Sequence, residues 1–398
     1  MTEWKEVKIG EIADLVQGLA INAKTSYLLV EKNGLPLLRI KDLIENKSVM
    51  YIDPQLAPKG CIVNENDLIM TRTGQVGYVF MGKKGVLHNN SFKIIPKSKE
   101  ISSKFLYCYF NTQISRENLT SIAAGSVQPD LTHKIFKEYS LLLPPLQEQE
   151  RIAEVLFSID DKINLLIRNN KTLEQLAETL FRQWFESIEN AESTIMNIED
   201  VATVQNGYSF KSSEFILEQL DTIEVLKMGH ISADGGLRPS PKKDFVKRCE
   251  KYNKWVLNKR DIILAMTDLK DNVVILGVPA LIDYDNKYVL NQRVGRIYLK
   301  ENSLIESILI LYMQMKEKNF ISELQSKGNS GVQVNLGTDT IRQTKILVPT
   351  KEYQMKILPQ LNSIFDKLDH NRIQVQNLET LRDTLLPKLM SGMVRVEN

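Results

Sequence analysis

The chain has 398 residues, 43% hydrophobic and 25% charged, with a formal net charge of +2, the composition of a globular protein with two or three domains. No run of about 18 apolar residues occurs and the opening MTEWKEVKIG lacks a signal-peptide core, so a cytoplasmic protein without membrane contact is expected. Cys61, Cys108 and Cys249 are odd in number and far apart, which fits reduced structural thiols rather than a disulfide framework or a metal knuckle.

In chain order, residues 1–145 form a first mixed module. Short apolar runs in DLIMT, GYVFMG and SFKIIP, bounded by Gly, Asn, Asp and Lys, predict strands, and a helix is expected over 104–111. Between them lie polar, glycine-bearing loops. TRTGQVG carries Thr71, Arg72, Thr73 and Gln75, LHNNS carries His88, Asn89, Asn90 and Ser91, and AGSVQ carries Ser126 and Gln128. LLLPP then closes the module with a strand and prolines before a long helix.

That helix, within residues 146–188, places Ile152, Leu156, Ile159, Ile163, Leu166, Asn170, Leu173, Ala177, Leu180 and Trp184 at alternating steps of four and three, the spacing of a coiled-coil seam with one polar residue. A second module, 189–349, repeats the pattern. DIILAM, NVVILGV and GRIYL predict strands, 305–322 a helix, and ILVPT the closing strand. Its polar loops are MTDLKDN with Thr267, Lys270 and Asn272, LNQRVG with Asn291, Gln292 and Arg293, and GNSGVQ with Ser330 and Gln333. The last segment, 350–398, spaces Ile357, Leu361, Ile364, Leu368, Asn371, Val375, Leu378, Leu385 and Leu389 on the same lattice, with Arg382 at the one ill-fitting position.

A shift of 205 residues superposes much of the two halves. Val127, Gln128 and Leu131 fall on Val332, Gln333 and Leu336, Pro144 on Pro349, Gln149 on Gln354, and Asp161 and Lys162 on Asp366 and Lys367. Upstream the offset shrinks, so IGEIADLVQG answers IEDVATVQNG and NDLIMTRTG answers RDIILAMTD; the second copy carries loop insertions. The chain is a tandem duplication of module and helix. Two such helices in one chain form an intramolecular coiled coil, whose direction spacing alone leaves open. In an antiparallel, symmetric pairing Asn170 and Asn371 come to the same level; in a parallel one they stand about four residues apart. The 33 residues from 152 to 184 span roughly 50 Å at about 1.5 Å per residue.

Charge is uneven along the chain. Residues 1–145 carry 18 basic and 14 acidic side chains, whereas 146–186 carry 5 and 8, so the first module is net positive and its helix net negative. The second module is balanced, but 242–260 holds Lys242, Lys243, Lys247, Arg248, Lys251, Lys254, Lys259 and Arg260 against two acids, with Tyr252 and Trp255 interleaved. Such a run suits phosphate contact or a solvated face. Catalytic signatures are missing from the sequence: His88, His133, His230 and His370 have no ligand-spaced partners, and no P-loop, GxSxG elbow or methyltransferase motif occurs.

LPPLQEQERIAEVLFSIDDKI with LEQLAETLFRQWF resembles the first conserved region of the specificity (S) subunits of type I restriction-modification enzymes, and ETLRDTLLPKLMSGMV the second. GEIADLVQG and EDVATVQNGYSFKS, the latter with Lys211, are similar to the openings of that family's target recognition domains. The resemblance covers the whole chain; Arg382 and Pro359 depart from a clean heptad. It implies an α+β fold with two mixed target recognition domains, related by a pseudo-twofold and separated by two long helices in an antiparallel coiled coil. By the same resemblance, each domain reads half of a split double-stranded DNA target. The helices dock two modification subunits, and restriction subunits complete the complex. S-adenosylmethionine, ATP and Mg belong to those partners and no cofactor or metal to this chain. The polar-loop residues of both modules then become candidate base or phosphate contacts, Arg for guanine and Asn or Gln for adenine, together with Lys211, Lys242, Lys243 and Lys247. The alternative is a coiled-coil adapter with two protein-binding modules and no DNA.

Overall fold

The computed structural model describes residues 4–125, 128–188, 192–239, 241–269, 273–330 and 333–396. The chain divides into two compact units, Met1–Leu166 with Gln374–Asn398, and Ile167–Ile373. The division runs through both long helices, Leu146–Glu186 and Lys351–Met390, so each unit holds one module and one half of each helix.

In the first unit, Lys5–Lys8 pairs antiparallel with Ser140–Leu143, which brings the module's opening strand beside the one that leads into the long helix. An antiparallel sheet follows in the order Ala13–Gln17, Ser91–Pro96, Leu68–Thr71, Val79–Phe80. Beside it a second sheet contains one parallel pair, Leu35–Leu38 with Gly85–Leu87. The second unit repeats this plan. Ser193–Asn197 pairs with Lys345–Pro349, the antiparallel sheet runs Ala202–Asn206, Val294–Leu299, Ile262–Ala265, Pro279–Leu281, and the parallel pair is Thr222–Leu226 with Tyr288–Leu290. Buried, β-branched runs such as Leu68–Thr71 and Ile262–Ala265 suit strands covered on both faces.

Two expected elements differ. The apolar run NVVILGV forms no strand among its described residues, because the Asp268 carboxylate gathers the N–H groups of Val274, Ile275 and Leu276 at 2.7, 2.6 and 3.1 Å and Gly277 turns at φ +70°; the strand begins only at Pro279. The helix expected over 305–322 is two, Ile308–Lys316 and Lys318–Ser326, split where Glu317 adopts extended backbone at ψ 135°. Apolar content alone records neither a side-chain acceptor nor one extended residue.

The start of each long helix is locked to its module by the same buried amide. Gln149 Oε1 accepts the Ser102 N–H at 2.8 Å, while its Nε2 donates to the carbonyls of Glu100 and Pro144. Gln354 makes the matching set, accepting from Glu306 N–H and donating to Leu304 and Pro349 carbonyls, each at 2.8 Å. Both side chains are almost wholly buried. Around them the apolar stripe joins module cores: Ile152 and Leu156 pack with Phe105, Leu389 and Met390, and Ile357, Leu361, Ile364 and Leu368 with Ala177, Phe181 and Leu309. Part of the seam is therefore module core.

Within each unit the helix halves run in opposite directions. In the second, Tyr353 Oη donates to the Trp184 carbonyl, Arg372 pairs with Glu174, and Asn371 Nδ2 donates to Asn170 Oδ1 at 2.8 Å; the asparagines share a level, as the antiparallel register requires. In the first, Arg382, the misfit in the heptad, reaches Asp160 at 3.0 Å. Ile159 and Ile163 are buried. Pro359 does not interrupt its helix.

Replacing Gln354 by Leu strands one buried N–H and two carbonyls and is expected to lower stability by roughly 2–4 kcal/mol, read as a fall in the urea midpoint of the full chain; an unchanged midpoint would rule out the clamp. Asn371 behaves oppositely. Its Oδ1 is buried with no hydrogen-bond partner among the described residues, so Asn371→Leu loses one hydrogen bond of about 1 kcal/mol, leaves the Oδ1 of half-buried Asn170 to solvent, and removes an unsatisfied acceptor costing about 1–3 kcal/mol. A net gain of about 1 kcal/mol is expected, and a lower midpoint would contradict it.

Candidate nucleic-acid interface

In the first unit three loops meet at one end of the antiparallel sheet. Gly18 permits the approach: a Cβ there would stand 2.3 Å from the His88 carbonyl oxygen. Leu131 N–H donates to the Arg72 carbonyl at 2.8 Å, Arg72 N–H to the Asn90 carbonyl at 2.9 Å, and Gly74 N–H to the Pro129 carbonyl at 2.8 Å. Gln75 and Gln128 are exposed and Thr73, Asn89 and Asn90 half-buried, held on backbone that the sheet fixes. Thr71 is different. It is fully buried, and its hydroxyl is bonded across the turn to Gln75 and Tyr78, so it shapes the loop. His88 is held below the usual imidazole range by burial and then by Arg39, so it adds no charge near neutral pH.

Arg72 stands at the centre. Its Nε and Nη2 donate to the two oxygens of Asp130 at 2.8 and 2.6 Å, and Nη1 donates to Gln17 Oε1 at 3.0 Å. Thr73 Oγ1 also donates to Asp130 at 3.0 Å. The Arg72 fork holds the Asp130 carboxyl below its usual range. Asp130 and Gln17 were not singled out by sequence reasoning; the signal available was Asp130's place two residues after Gln128, in a segment that recurs in the second copy.

The second unit builds the same frame with other side chains. A Cβ on Gly207 would lie 2.2 Å from the Asn291 carbonyl oxygen; Met266 N–H donates to the Arg293 carbonyl and Leu336 N–H to the Met266 carbonyl. Met266 thus occupies the place of Arg72, and Asn335, paired with Thr267, that of Asp130, which bridges Thr73. Gln292 and Arg293 are exposed, whereas Thr267 is half-buried with its hydroxyl on Met228 Sδ. Ser126, Lys270 and Asn272 lie outside the described residues. Ser330 and Gln333 are placed by backbone in the strands Asn329–Ser330 and Gln333–Asn335.

The basic run divides. Lys251 pairs with Glu214, and Lys259 and Arg260 with Asp369 and Asp366; Lys251 and the Lys211 N–H together push Glu214 down to about 2. These cations serve the fold. Lys242, Lys243 and Lys247 are exposed and none takes part in an ion pair among the described residues. Lys211 is exposed as well. Tyr208, whose carbonyl accepts the Gln292 N–H, meets Phe210 and Tyr252 edge to face and Trp255 at a tilt, and joins the polar loop to this basic segment. Arg, Asn and Gln side chains on backbone-held loops are the donor types that base edges take, and exposed lysines the type that phosphates take.

The family model for the type I restriction modification DNA specificity domain matches residues 1–175 and 190–379. Over its full length the chain is 26% identical to the type I restriction enzyme MjaVIII specificity subunit of Methanocaldococcus jannaschii, covering 94% of that protein. To the MjaIX specificity subunit of the same organism it is 25% identical, covering 99% of this chain and 94% of that one. In fold it is similar to the type I restriction-modification S subunit of M. genitalium, with a TM-score of 0.58 at 17% identity over 97% of this chain and 96% of that one.

Neutralising the free lysines as Lys242→Gln, Lys243→Gln and Lys247→Gln is expected to weaken binding to all duplexes alike and to flatten the dependence of log K on log salt by about 0.9 for each phosphate no longer neutralised. Fluorescence anisotropy across a salt series measures it. An unchanged slope would place these lysines off the DNA.

Proposed function

Because the chain belongs to the type I restriction-modification DNA specificity family, we propose that each of its modules reads one half of a bipartite duplex target, and that the paired helices set the number of base pairs between the halves. Sequence-specific DNA recognition within a restriction-modification complex is the role this membership carries. The observation that supports one reader per half-site is the duplicated loop frame. Equivalent backbone positions carry Arg72 and Met266, Asn89 and Gln292, Asn90 and Arg293, so one scaffold presents two different donor and acceptor patterns.

In this reading the chain performs no chemistry. Two modification subunits dock on the helices and supply methyl transfer from S-adenosylmethionine, restriction subunits supply ATP- and Mg-dependent cleavage, and this chain holds none of these cofactors. The assembly works in the cytoplasm on duplex DNA. No helix among the described residues is long and apolar enough to cross a membrane. The proposed contacts are Arg72, Thr73, Gln75, Asn89, Asn90 and Gln128 in the first module and Thr267, Gln292, Arg293, Ser330 and Gln333 in the second, with Lys211, Lys242, Lys243 and Lys247 on phosphates.

Exchange of residues 1–143 for the corresponding module of a relative is expected to change one half of the methylated motif and leave the other half and the spacing as they were. Methylome sequencing of a host carrying the chimera reads this directly. A change in both halves would refute independent reading.

A further inference from the structure

Arg72 has more hydrogen-bonding capacity than the protein uses. A guanidinium carries five N–H groups. The bonds to Asp130 and Gln17 engage one on Nε, one on Nη2 and one on Nη1, leaving a single N–H on each terminal nitrogen. The side chain keeps 23% of its surface exposed in the loop cluster with Asn89, Asn90 and Gln128. Resting on the DNA-reading role proposed above, we infer that Arg72 reads a guanine in the half-site of the first module, and that Asp130 and Gln17 are positioning residues that hold its guanidinium for that contact.

The chemistry selects guanine over the other bases. An N–H left on each terminal nitrogen can serve the O6 and N7 acceptors of guanine in the major groove, whereas adenine offers a donor beside its N7, and thymine and cytosine present no such acceptor pair. A free arginine would have to be ordered on binding; the two-point bond to Asp130, itself held by Thr73 Oγ1 at 3.0 Å, fixes the plane beforehand. The carboxylate also offsets the charge of Arg72, so this residue adds little to general phosphate attraction and acts on sequence. The second module has Met266 and Asn335 at the matching positions and cannot make this contact there, so the inference is specific to one half-site.

The test is selection from a pool of randomised duplexes by the full-length chain in complex with its modification subunits, comparing wild type with Arg72→Met, Arg72→Lys and Asp130→Asn. In wild type one position of the first half-site is expected to be guanine. Arg72→Met and Arg72→Lys are each expected to lower that preference at least about fivefold while leaving every other position intact. Arg72→Lys, which retains the charge, is expected to leave the salt slope unchanged. Asp130→Asn is expected to weaken the same single preference without replacing it. The second half-site is the folding control, and where Arg72→Met disturbs it too, Arg72→Lys decides. Unchanged preferences in both arginine variants would make Arg72 a loop brace only and overturn the inference. Uniform weakening across all sequences with a flatter salt slope would make it a phosphate contact, also overturning it. Asp130→Asn behaving as wild type would remove Asp130 from a positioning role. A wild-type pool without any sequence preference would instead reject the DNA-reading role itself.

Discussion

The buried amides of Gln149 and Gln354 are the constraint on which the arrangement depends. Each sits one turn into a long helix and bonds only to backbone groups, one N–H and two carbonyls, where the module enters and leaves its helical segment. A side chain that recognises backbone is indifferent to the residues around it, so the same clamp fits two modules whose loops have diverged. Burial makes it strong, because an amide removed from water has no alternative partner. With the helix start fixed, the apolar stripe that follows falls against the module core in both units.

Much of this was legible in the sequence because repetition separates scaffold from variation. Gln149 and Gln354, the 205-residue shift and the seam lattice identify the duplicated helices, and the level of Asn170 with Asn371 follows from residue counting. Other features lie outside periodicity. The turn of 273–278 depends on Asp268 collecting three N–H groups, a contact between a loop and a preceding strand. Arg382 reads as a flaw in a heptad until Asp160 is seen opposite. Arg72 was one of four polar side chains in a glycine-bearing loop, but Asp130 lies 58 residues away and becomes relevant only once the sheet folds the two loops together. Thr71 shows the converse: a hydroxyl in a promising loop was consumed by the turn itself.

The two modules also show how a reading surface changes without disturbing what supports it. Hydrogen bonds that hold the loops run between backbone groups and keep the same pattern in both copies, while Arg72 and Asp130 give way to Met266 and Asn335. The glycines at 18 and 207 are constrained more tightly than any of these side chains, since a methyl group at either would enter a neighbouring carbonyl. Tolerance and intolerance therefore sit within a few residues of each other.

The hydrogen bond between Asn170 and Asn371 joins residues 201 positions apart, which has a consequence for synthesis. At about 5–20 residues per second, the ribosome needs on the order of 10–40 s after making Asn170 before its partner exists. The clamp at Gln149 closes on residues already made, so the first module and the start of its helix can settle at once. The distal half of that helix cannot. Ala177 and Phe181, buried in the finished second unit, belong to a core built largely from the module that follows them, so their cover arrives with that module, before the asparagine pair can close.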